Sequence, residues 1–111
     1  MKLNEMCSKL ELEPLITFDT EREVEGIYCG DLLSWVMTRL SSNFAWITIM
    51  SNINSIAVAS LCDATCIVFT ENADVPDEVI KKAQEQGINI FKTTKSTFEI
   101  SYQMGNLLYA K

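Results

Sequence analysis

Cys29 has the clearest capacity for chemistry in this chain, and it lies in the segment EGIYCGDLLSWVM, Glu25 to Met37. The segment reads as a strand that runs into a helix through Cys29, Gly30 and Asp31. A thiol beside a helix N-terminus can become a reactive thiolate, which would make Cys29 a redox sensor or a catalytic nucleophile. Alternatively, Cys29 only packs, Gly30 relaxes the backbone and Asp31 caps the helix. The second interpretation is favoured, because activation needs a positive environment that the sequence does not show.

Other sets of catalytic residues are incomplete. The chain has no histidine, which removes Ser-His-Asp and Cys-His catalysis and most metal sites. Its four glycines do not form the G-x-x-x-x-G-K-[ST] loop that cradles phosphates. Cys62 and Cys66, in CDATC, lack companions for a tetrahedral zinc site and are expected to be buried small apolar residues. We therefore predict a protein without catalytic residues, metal or cofactor.

Clusters of polar side chains that follow three predicted strands form the candidate ligand site. In open α/β sheets, ligands bind beyond the carboxyl ends of the strands, where free N–H groups of the following helices favour an anion. The predicted ligand is therefore a nucleotide or a small phosphorylated metabolite. In the alternative interpretation these side chains are ordinary helix caps, and Glu71 would repel an anion. The candidate residues are Ser51, Asn52, Asn54, Ser55, Thr70, Glu71, Asn72, Thr93 and Thr97.

Composition indicates a globular protein with scattered charges. The chain has 111 residues, 48% of them hydrophobic, which predicts a single domain over residues 1–111. The net charge of −6, with no basic stripe, argues against a nucleic-acid partner. The start MKLNEMCSKLELEP carries charges where a signal peptide needs apolar residues, and no apolar run has the length of a membrane span. We therefore expect a cytoplasmic protein with no membrane partner and with reduced thiols.

Hydrophobic periodicity predicts the first helices and strands. Leu3, Met6, Cys7 and Leu10 indicate a short amphipathic helix that ends at Pro14, and LITF and EREVEGIYC contain short strands. A second helix follows Asp31, with one apolar stripe. Trp35 lies outside this stripe, near Arg39, and is predicted to face another element or a partner. The stripe consists of Leu32, Leu33, Val36, Met37 and Leu40.

Three apolar runs, AWITIM, CIVFT and INIF, are typical of strands buried on both faces. A helix between the first two runs is predicted to pack inward through Ile53, Ile56, Ala57, Ser60 and Leu61. The next helix begins near Pro76 and ends at Gly87, and Ser96 with Glu99 forms a capping box for the last helix. This alternation predicts an α/β fold with a mainly parallel sheet of about four to five strands flanked by helices.

The chain resembles the DRTGG domain, which is similar to the N-terminal domain of HPr kinase/phosphorylase. The segments that carry the resemblance are GIYCGDLLSWVM, the stretch from AWITIM to INIF, and TTKSTFE. The resemblance implies a regulatory or assembly module rather than a kinase. Together with the missing catalytic sets and the position of Trp35, it predicts a non-enzymatic homodimer, with a separate enzyme as a further expected partner.

Two motifs of the DRTGG pattern are altered here. The Asp-Arg pair aligns with Asn52 and Ile53, and the Thr-Gly-Gly motif aligns with Thr70, Glu71 and Asn72, so that only the threonine is kept. Thr93 and Thr97 match a later Thr-containing turn of the family.

Overall fold

Five strands form one sheet with the order β1-β5-β4-β3-β2 in the computed structural model, which describes residues 1–110. Strands β2 to β5 are parallel, and β1 pairs antiparallel with β5. This confirms the predicted α/β fold and places the three apolar runs side by side as β3, β4 and β5. The elements are α1 (Leu3–Leu10), β1 (Glu13–Ile16), β2 (Gly26–Cys29), α2 (Leu33–Arg39), β3 (Phe44–Thr48), α3 (Ile53–Cys62), β4 (Cys66–Phe69), α4 (Asp77–Gln86), β5 (Asn89–Lys92) and α5 (Thr97–Tyr109).

Helices cover both faces of the sheet, and each face has its own apolar core. On one face, Val36, Ile56 and Val79 of α2, α3 and α4 pack against Trp46 and Phe69. On the other face, residues of α1 and α5 pack against the alternate side chains of the strands. This second core includes Leu3, Met6, Ala45, Ile47, Val68, Ile100 and Met104. Because successive strand residues point to opposite faces, strands covered on both sides are apolar throughout, as their sequences indicated.

The N-terminal helix and the first strand differ from their predicted boundaries. Helix α1 ends at Leu10, where Glu11 takes a left-handed backbone with φ 54° and donates its N–H to Cys7 and Ser8. Pro14 therefore does not end the helix. It lies in β1 opposite Phe91, an edge-strand position that tolerates a missing N–H.

Asp31 does not cap α2, so that prediction was wrong. Leu32 holds the N-cap position without a side-chain cap, and the Asp31 carboxylate instead accepts hydrogen bonds from Thr48 Oγ1 (2.7 Å) and Ile49 N (3.0 Å). It secures the end of β3. Val36 and Leu40 of the predicted stripe are buried, whereas Leu32 and Met37 are exposed. The inner stripe of α2 is therefore narrower than its apolar composition suggests.

The inner face predicted for α3 was largely wrong. The buried residues of α3 are Ser55, Ile56, Val58 and Ala59. Ile53 and Leu61 point outward and are 46% and 69% exposed, and Ala57 is also exposed. Since α3 is apolar around most of its circumference, periodicity could not decide which side faces the sheet.

The capping residues predicted at the end of α4 and at the start of α5 are confirmed. Gly87 follows α4 with φ 70°, and the Ser96 side chain accepts a hydrogen bond from Glu99 N at the start of α5. Across residues 1–110, no helix combines the length and apolar character that crossing a bilayer requires. The predicted cytoplasmic location stays a prediction.

Candidate ligand-binding site

The loops that follow β4 and β5 are joined at the carboxyl edge of the sheet, the side where the parallel strands end. Glu71 N donates to Lys95 O (2.9 Å) and Asn72 N donates to Thr93 O (3.0 Å). The hydroxyl oxygens of Thr70 and Thr97 lie 2.7 Å apart. The structure thus brings together Thr70, Glu71, Asn72, Thr93 and Thr97, five of the residues predicted from sequence.

The carboxylate of Glu71 already occupies the N-terminus of α5. Glu71 Oε2 accepts a hydrogen bond from Thr97 N at 3.0 Å, and the Ser96 hydroxyl accepts from Glu99 N at 3.1 Å. These contacts satisfy N–H groups that would otherwise be available to an anion. A ligand anion at this position would have to displace the Glu71 carboxylate.

Glu71 and Asn72 both have left-handed backbones, with φ of 62° and 53°. Glycine adopts this conformation without steric cost, and asparagine tolerates it better than most residues. These are the two positions that align with the glycines of the Thr-Gly-Gly motif. A glycine at either position would take this backbone without the steric cost that Glu71 bears.

The polar residues before α3 form a separate cluster. Asn52 Oδ1 accepts hydrogen bonds from Asn54 N (2.9 Å) and Ser55 N (3.2 Å). The Ser55 hydroxyl donates to Met50 O, and Ser51 Oγ donates to Asp74 O at 2.5 Å. Asn52 and Ser55 therefore hold the start of α3, and Ser51 ties it to the loop after β4. These four predicted residues do not join the five around Thr70.

A polar cleft of about 190 Å³ lies beside the end of β5, and we call it the edge cleft. It contains two of the candidate residues, Asn72 and Thr93, and six further residues. Residues of the α1–β1 connection reach it because β1 pairs with β5 and sets Glu13 opposite Lys92. The lining residues are Leu10, Glu11, Glu13, Asn72, Lys92, Thr93, Thr94 and Lys95.

Charges of both signs line the edge cleft. Lys95 Nζ donates to Gln103 Oε1 at 2.9 Å, which steadies the side chain without neutralising it. Within residues 1–110, neither Lys92 nor Lys95 takes part in an ion pair. Glu11 and Glu13 bring negative charge to the same cleft. The KTTK segment after INIF was the available sequence signal for this pair of lysines.

The cysteines occupy distinct environments. Cys29 is exposed, and its Sγ lies 3.0 Å from Ser101 Oγ. The Ser101 hydroxyl donates to Thr97 O, so Cys29 contacts a serine that is tied to the first turn of α5. Burial raises the pKa of Cys7 to about 12 and also raises the pKa of the fully buried Cys66.

Cys62 is only partly buried, in contrast to its predicted burial, whereas the predicted burial of Cys66 is confirmed. The part of the chain that the structure describes holds no group of three acidic, cysteine or histidine side chains that could bind a metal.

Trp35 is 55% exposed, and the Arg39 guanidinium lies 4.1 Å from the centre of its ring. It therefore lies outside the core and beside Arg39, as predicted. A cation over an indole ring is a favourable contact at an exposed site. An interface role for Trp35 stays a prediction.

Comparison with known proteins relates most of this fold to one family. The family described as HPr serine kinase N terminus matches residues 47–108. The HPr kinase/phosphorylase of Bacillus mycoides (strain KBAB4) is 33% identical over 54 residues, which cover 47% of this chain and 18% of that protein. That of Bacillus anthracis is 30% identical over 66 residues, covering 58% and 21%. The chain therefore spans only about a fifth of the length of these relatives.

Among solved structures, the regulatory region of Clostridium perfringens pyrophosphatase is similar, with a TM-score of 0.70 and 14% identity over 91% of this chain and 44% of that chain. That structure contains CBS and DRTGG domains in complex with the activator diadenosine tetraphosphate. The similarity supports a DRTGG-like fold, as the sequence predicted.

Proposed function

Because the chain belongs to the family of the HPr serine kinase N terminus, we propose that it is a non-catalytic regulatory module. In this proposal it binds the phosphoryl group of a nucleotide or a small phosphorylated metabolite at the carboxyl edge of the sheet. The observation that carries the proposal is the edge cleft, where Lys92 and Lys95 accompany the hydroxyls of Thr93 and Thr94 and the amide of Asn72.

The dimensions of the cleft define how a ligand would bind. Its volume of about 190 Å³ is smaller than the roughly 300–1,000 Å³ of pockets that enclose drug-sized ligands. A phosphate or pyrophosphate group fits such a space, and the rest of a nucleotide would lie outside it. Lysine suits this role because its ammonium acts as a point charge toward phosphate.

Glu11 and Glu13 would act as a selectivity element. Their carboxylates oppose a bare, highly charged anion in the same cleft as the lysines, and they accept hydrogen bonds from hydroxyl or amino groups. A phosphorylated metabolite that also carries such donors satisfies both halves of the lining. Inorganic phosphate satisfies only the lysine half and is expected to bind more weakly.

A regulatory role is supported by the kinds of protein in which this fold occurs. The similar Clostridium perfringens structure is a regulatory region bound to a nucleotide activator. The matched HPr kinase/phosphorylases are about five times longer than the aligned segment, so the segment is one part of a larger protein in those relatives. The absent phosphate loop and the lack of histidine favour ligand binding over phosphoryl transfer. A separate enzyme that responds to the bound state is the corresponding partner in this proposal.

Isothermal titration calorimetry with pyrophosphate, AMP, ATP and diadenosine tetraphosphate tests the proposal. Lys92→Gln and Lys95→Gln should each weaken binding about 10- to 100-fold, since a hydrogen bond to a charged group contributes roughly 1.5–3 kcal/mol. Lys81→Gln, an exposed α4 change of equal charge, is the control and should leave affinity unaltered. Binding of none of the four compounds at millimolar concentration, or equal losses in all three variants, would contradict the edge cleft as the site.

Turnover is a separate readout of the same samples. Phosphorus NMR of each ligand after prolonged incubation with the pure protein should show no new phosphorus resonance. Appearance of a hydrolysed or transferred phosphoryl group would refute the non-catalytic part of the proposal even if binding is confirmed.

Self-association is the second part of the proposed function, since a homodimer with Trp35 in the contact is the sequence prediction. Trp35 is a large exposed apolar side chain, and aromatic residues are enriched at protein interfaces. If Trp35 lies in the contact, Trp35→Ala should weaken the dimer in sedimentation equilibrium. An unchanged association constant would remove Trp35 from the interface.

A further inference from the structure

Helix α3 has apolar residues on its outer side as well as on the side that packs against the sheet. Its sequence, INSIAVASLC, contains no charged residue. Ile53, Ala57 and Leu61 follow one another at i, i+4 and i+8 on the exposed side, and this spacing aligns them along one stripe. Apolar residues grouped on an exposed side of a helix mark an interaction surface. The outer side of α3 therefore has the composition of a contact surface.

The neighbouring side of α2 adds to this stripe and creates a groove. Met37 is 48% exposed, and it lines the apolar groove together with Leu33 of α2. The groove has a volume of about 330 Å³, and its other residues are Asn54, Ala57, Val58 and Leu61. We call Ile53, Ala57, Leu61 and Met37, with this groove, the α3 surface.

The charge distribution favours a second copy of this chain as the occupant. Helices α2 and α3 carry one charged residue between them, Arg39, although the chain as a whole has a net charge of −6. Trp35 and Arg39 are on the other flank of α2, because 100° per residue places Trp35 about 160° from Met37 around the helix axis. Two copies can therefore meet through the α3 surface without bringing the charged residues of these helices together.

The shape of the stripe is self-complementary. A small residue, Ala57, stands between two large ones, Ile53 and Leu61, each about 6 Å away along the helix axis at 1.5 Å per residue. Two antiparallel α3 helices that cross at Ala57 would set Ile53 of one copy against Leu61 of the other. A two-fold axis requires such reciprocal contacts. Leu61 is 69% exposed and lines the groove between α2 and α3.

We propose that two copies of this chain associate through the α3 surface, with the two α3 helices antiparallel about a two-fold axis near Ala57. This inference rests on the self-association part of the proposed function and places the contact on α3, away from Trp35. Leu61 of each copy packs against Ile53 of the other, and Ala57 allows the helices to approach closely.

Sedimentation equilibrium of three single variants tests the placement. Leu61→Glu should weaken the dimer at least about 30-fold, the size expected for a central interface residue. Phe98→Glu, on α5, is the matched control because Phe98 is 78% exposed and the same charge is introduced on the opposite face of the sheet. Phe98→Glu should leave the association constant unchanged. Trp35→Ala decides between the two placements: an unchanged association constant supports the α3 surface, and a weakened dimer would support the Trp35 contact instead. Circular dichroism checks that each variant is folded.

Disulfide trapping provides an independent test that does not depend on weakening an interface. In a Cys29→Ser background, Ala57→Cys should form a disulfide-linked dimer under mild oxidation, because a residue near the two-fold axis faces its own counterpart. Asn106→Cys, on exposed α5, should remain monomeric at the same concentration.

The outcomes separate the failure of self-association from the failure of its placement. A wild-type chain that is monomeric at 100 µM would overturn self-association itself and this inference with it. A wild-type dimer that Leu61→Glu leaves intact, or that Ala57→Cys does not trap, would overturn only the α3 surface as the contact. Calorimetry on the same samples reports separately on the edge cleft.

Discussion

The left-handed backbone at Glu71 allows a quantitative prediction about stability. A φ of 62° costs a residue other than glycine roughly 1–2 kcal/mol. A glycine at this position would remove that cost, but its greater freedom in the unfolded chain would cost roughly 0.5–1 kcal/mol of stability. The bond from Thr97 N to the Glu71 carboxylate is a helix-capping contact that contributes about 1 kcal/mol. Substitutions at Glu71 therefore change two opposing contributions of similar size.

Two substitutions separate these contributions. Glu71→Ala keeps the strained backbone and loses the capping bond, so we expect a loss of about 1 kcal/mol in the free energy of unfolding. Glu71→Gly loses the same bond but also the strain, so it should be more stable than Glu71→Ala by about 0.5–1 kcal/mol. At an ordinary helical position the order is reversed: on exposed α4, Glu85→Gly should be about 1 kcal/mol less stable than Glu85→Ala.

Urea unfolding followed by far-UV circular dichroism measures the four variants. If the slope of the free energy against urea is unchanged, differences in midpoint report differences in stability. If Glu71→Ala is at least as stable as Glu71→Gly while the Glu85 variants show the expected order, the strained backbone at Glu71 is refuted.

Three further predictions concern residues away from the edge cleft. Asn89→Ala should lower the free energy of unfolding by about 2–3 kcal/mol. The buried Asn89 side chain accepts a hydrogen bond from Phe18 N (2.6 Å) and donates to Thr65 O (2.9 Å) and Asp19 O (3.3 Å). A loss below about 1 kcal/mol in urea unfolding would contradict this prediction. Burial raises the pKa of the Cys66 thiol, so the unfolded chain loses this proton at a lower pH than the folded protein does. The stabilisation from the buried thiol is therefore complete below roughly pH 8.5 and falls at higher pH. Between roughly pH 7 and 10 the unfolding midpoint should fall less steeply in Cys66→Ala than in the wild type, and equal slopes in the two proteins would contradict this. Cys29 should react with iodoacetamide at neutral pH no faster than a free model thiol, and a much faster rate would revive the redox alternative.

Much of the sheet could be predicted from sequence because buried parallel strands are recognisable without knowing their neighbours. AWITIM, CIVFT and INIF are apolar throughout, and this is the pattern of strands covered on both faces. The end of α4 at Gly87 and the Ser96 cap were predictable for a related reason, since local backbone chemistry decides them.

The errors arose where tertiary contacts override local preference. Asp31 has the side chain of a helix cap, yet its carboxylate binds Thr48 and the backbone of Ile49 at the end of β3. The orientation of α3 was undetermined, because residues on both of its sides are apolar. Only packing against the sheet selects Ile56 and Ala59 for burial.

The sequence predicted the part of the candidate site at the strand ends but not the part contributed by the α1–β1 connection, and the reason is physical. Thr70, Glu71, Asn72, Thr93 and Thr97 come together because parallel strands end at one edge of the sheet. Glu11 and Glu13 reach the cleft only through the antiparallel pairing of β1 with β5. That pairing joins segments almost 80 residues apart, and a weak four-residue strand gives no signal of its partner.

The most direct test of the account is a titration of isotope-labelled protein with AMP, which carries a phosphate together with hydroxyl and amino groups, followed by backbone amide NMR. Binding at the edge cleft predicts saturable shifts at Asn72, Thr93, Thr94 and Lys95, with the resonances of α3 unaffected. Lys92→Gln should reduce these shifts at a given AMP concentration. No saturable shift at millimolar AMP, or shifts confined to residues away from β5, would contradict the claim that this module acts by holding a phosphorylated ligand there.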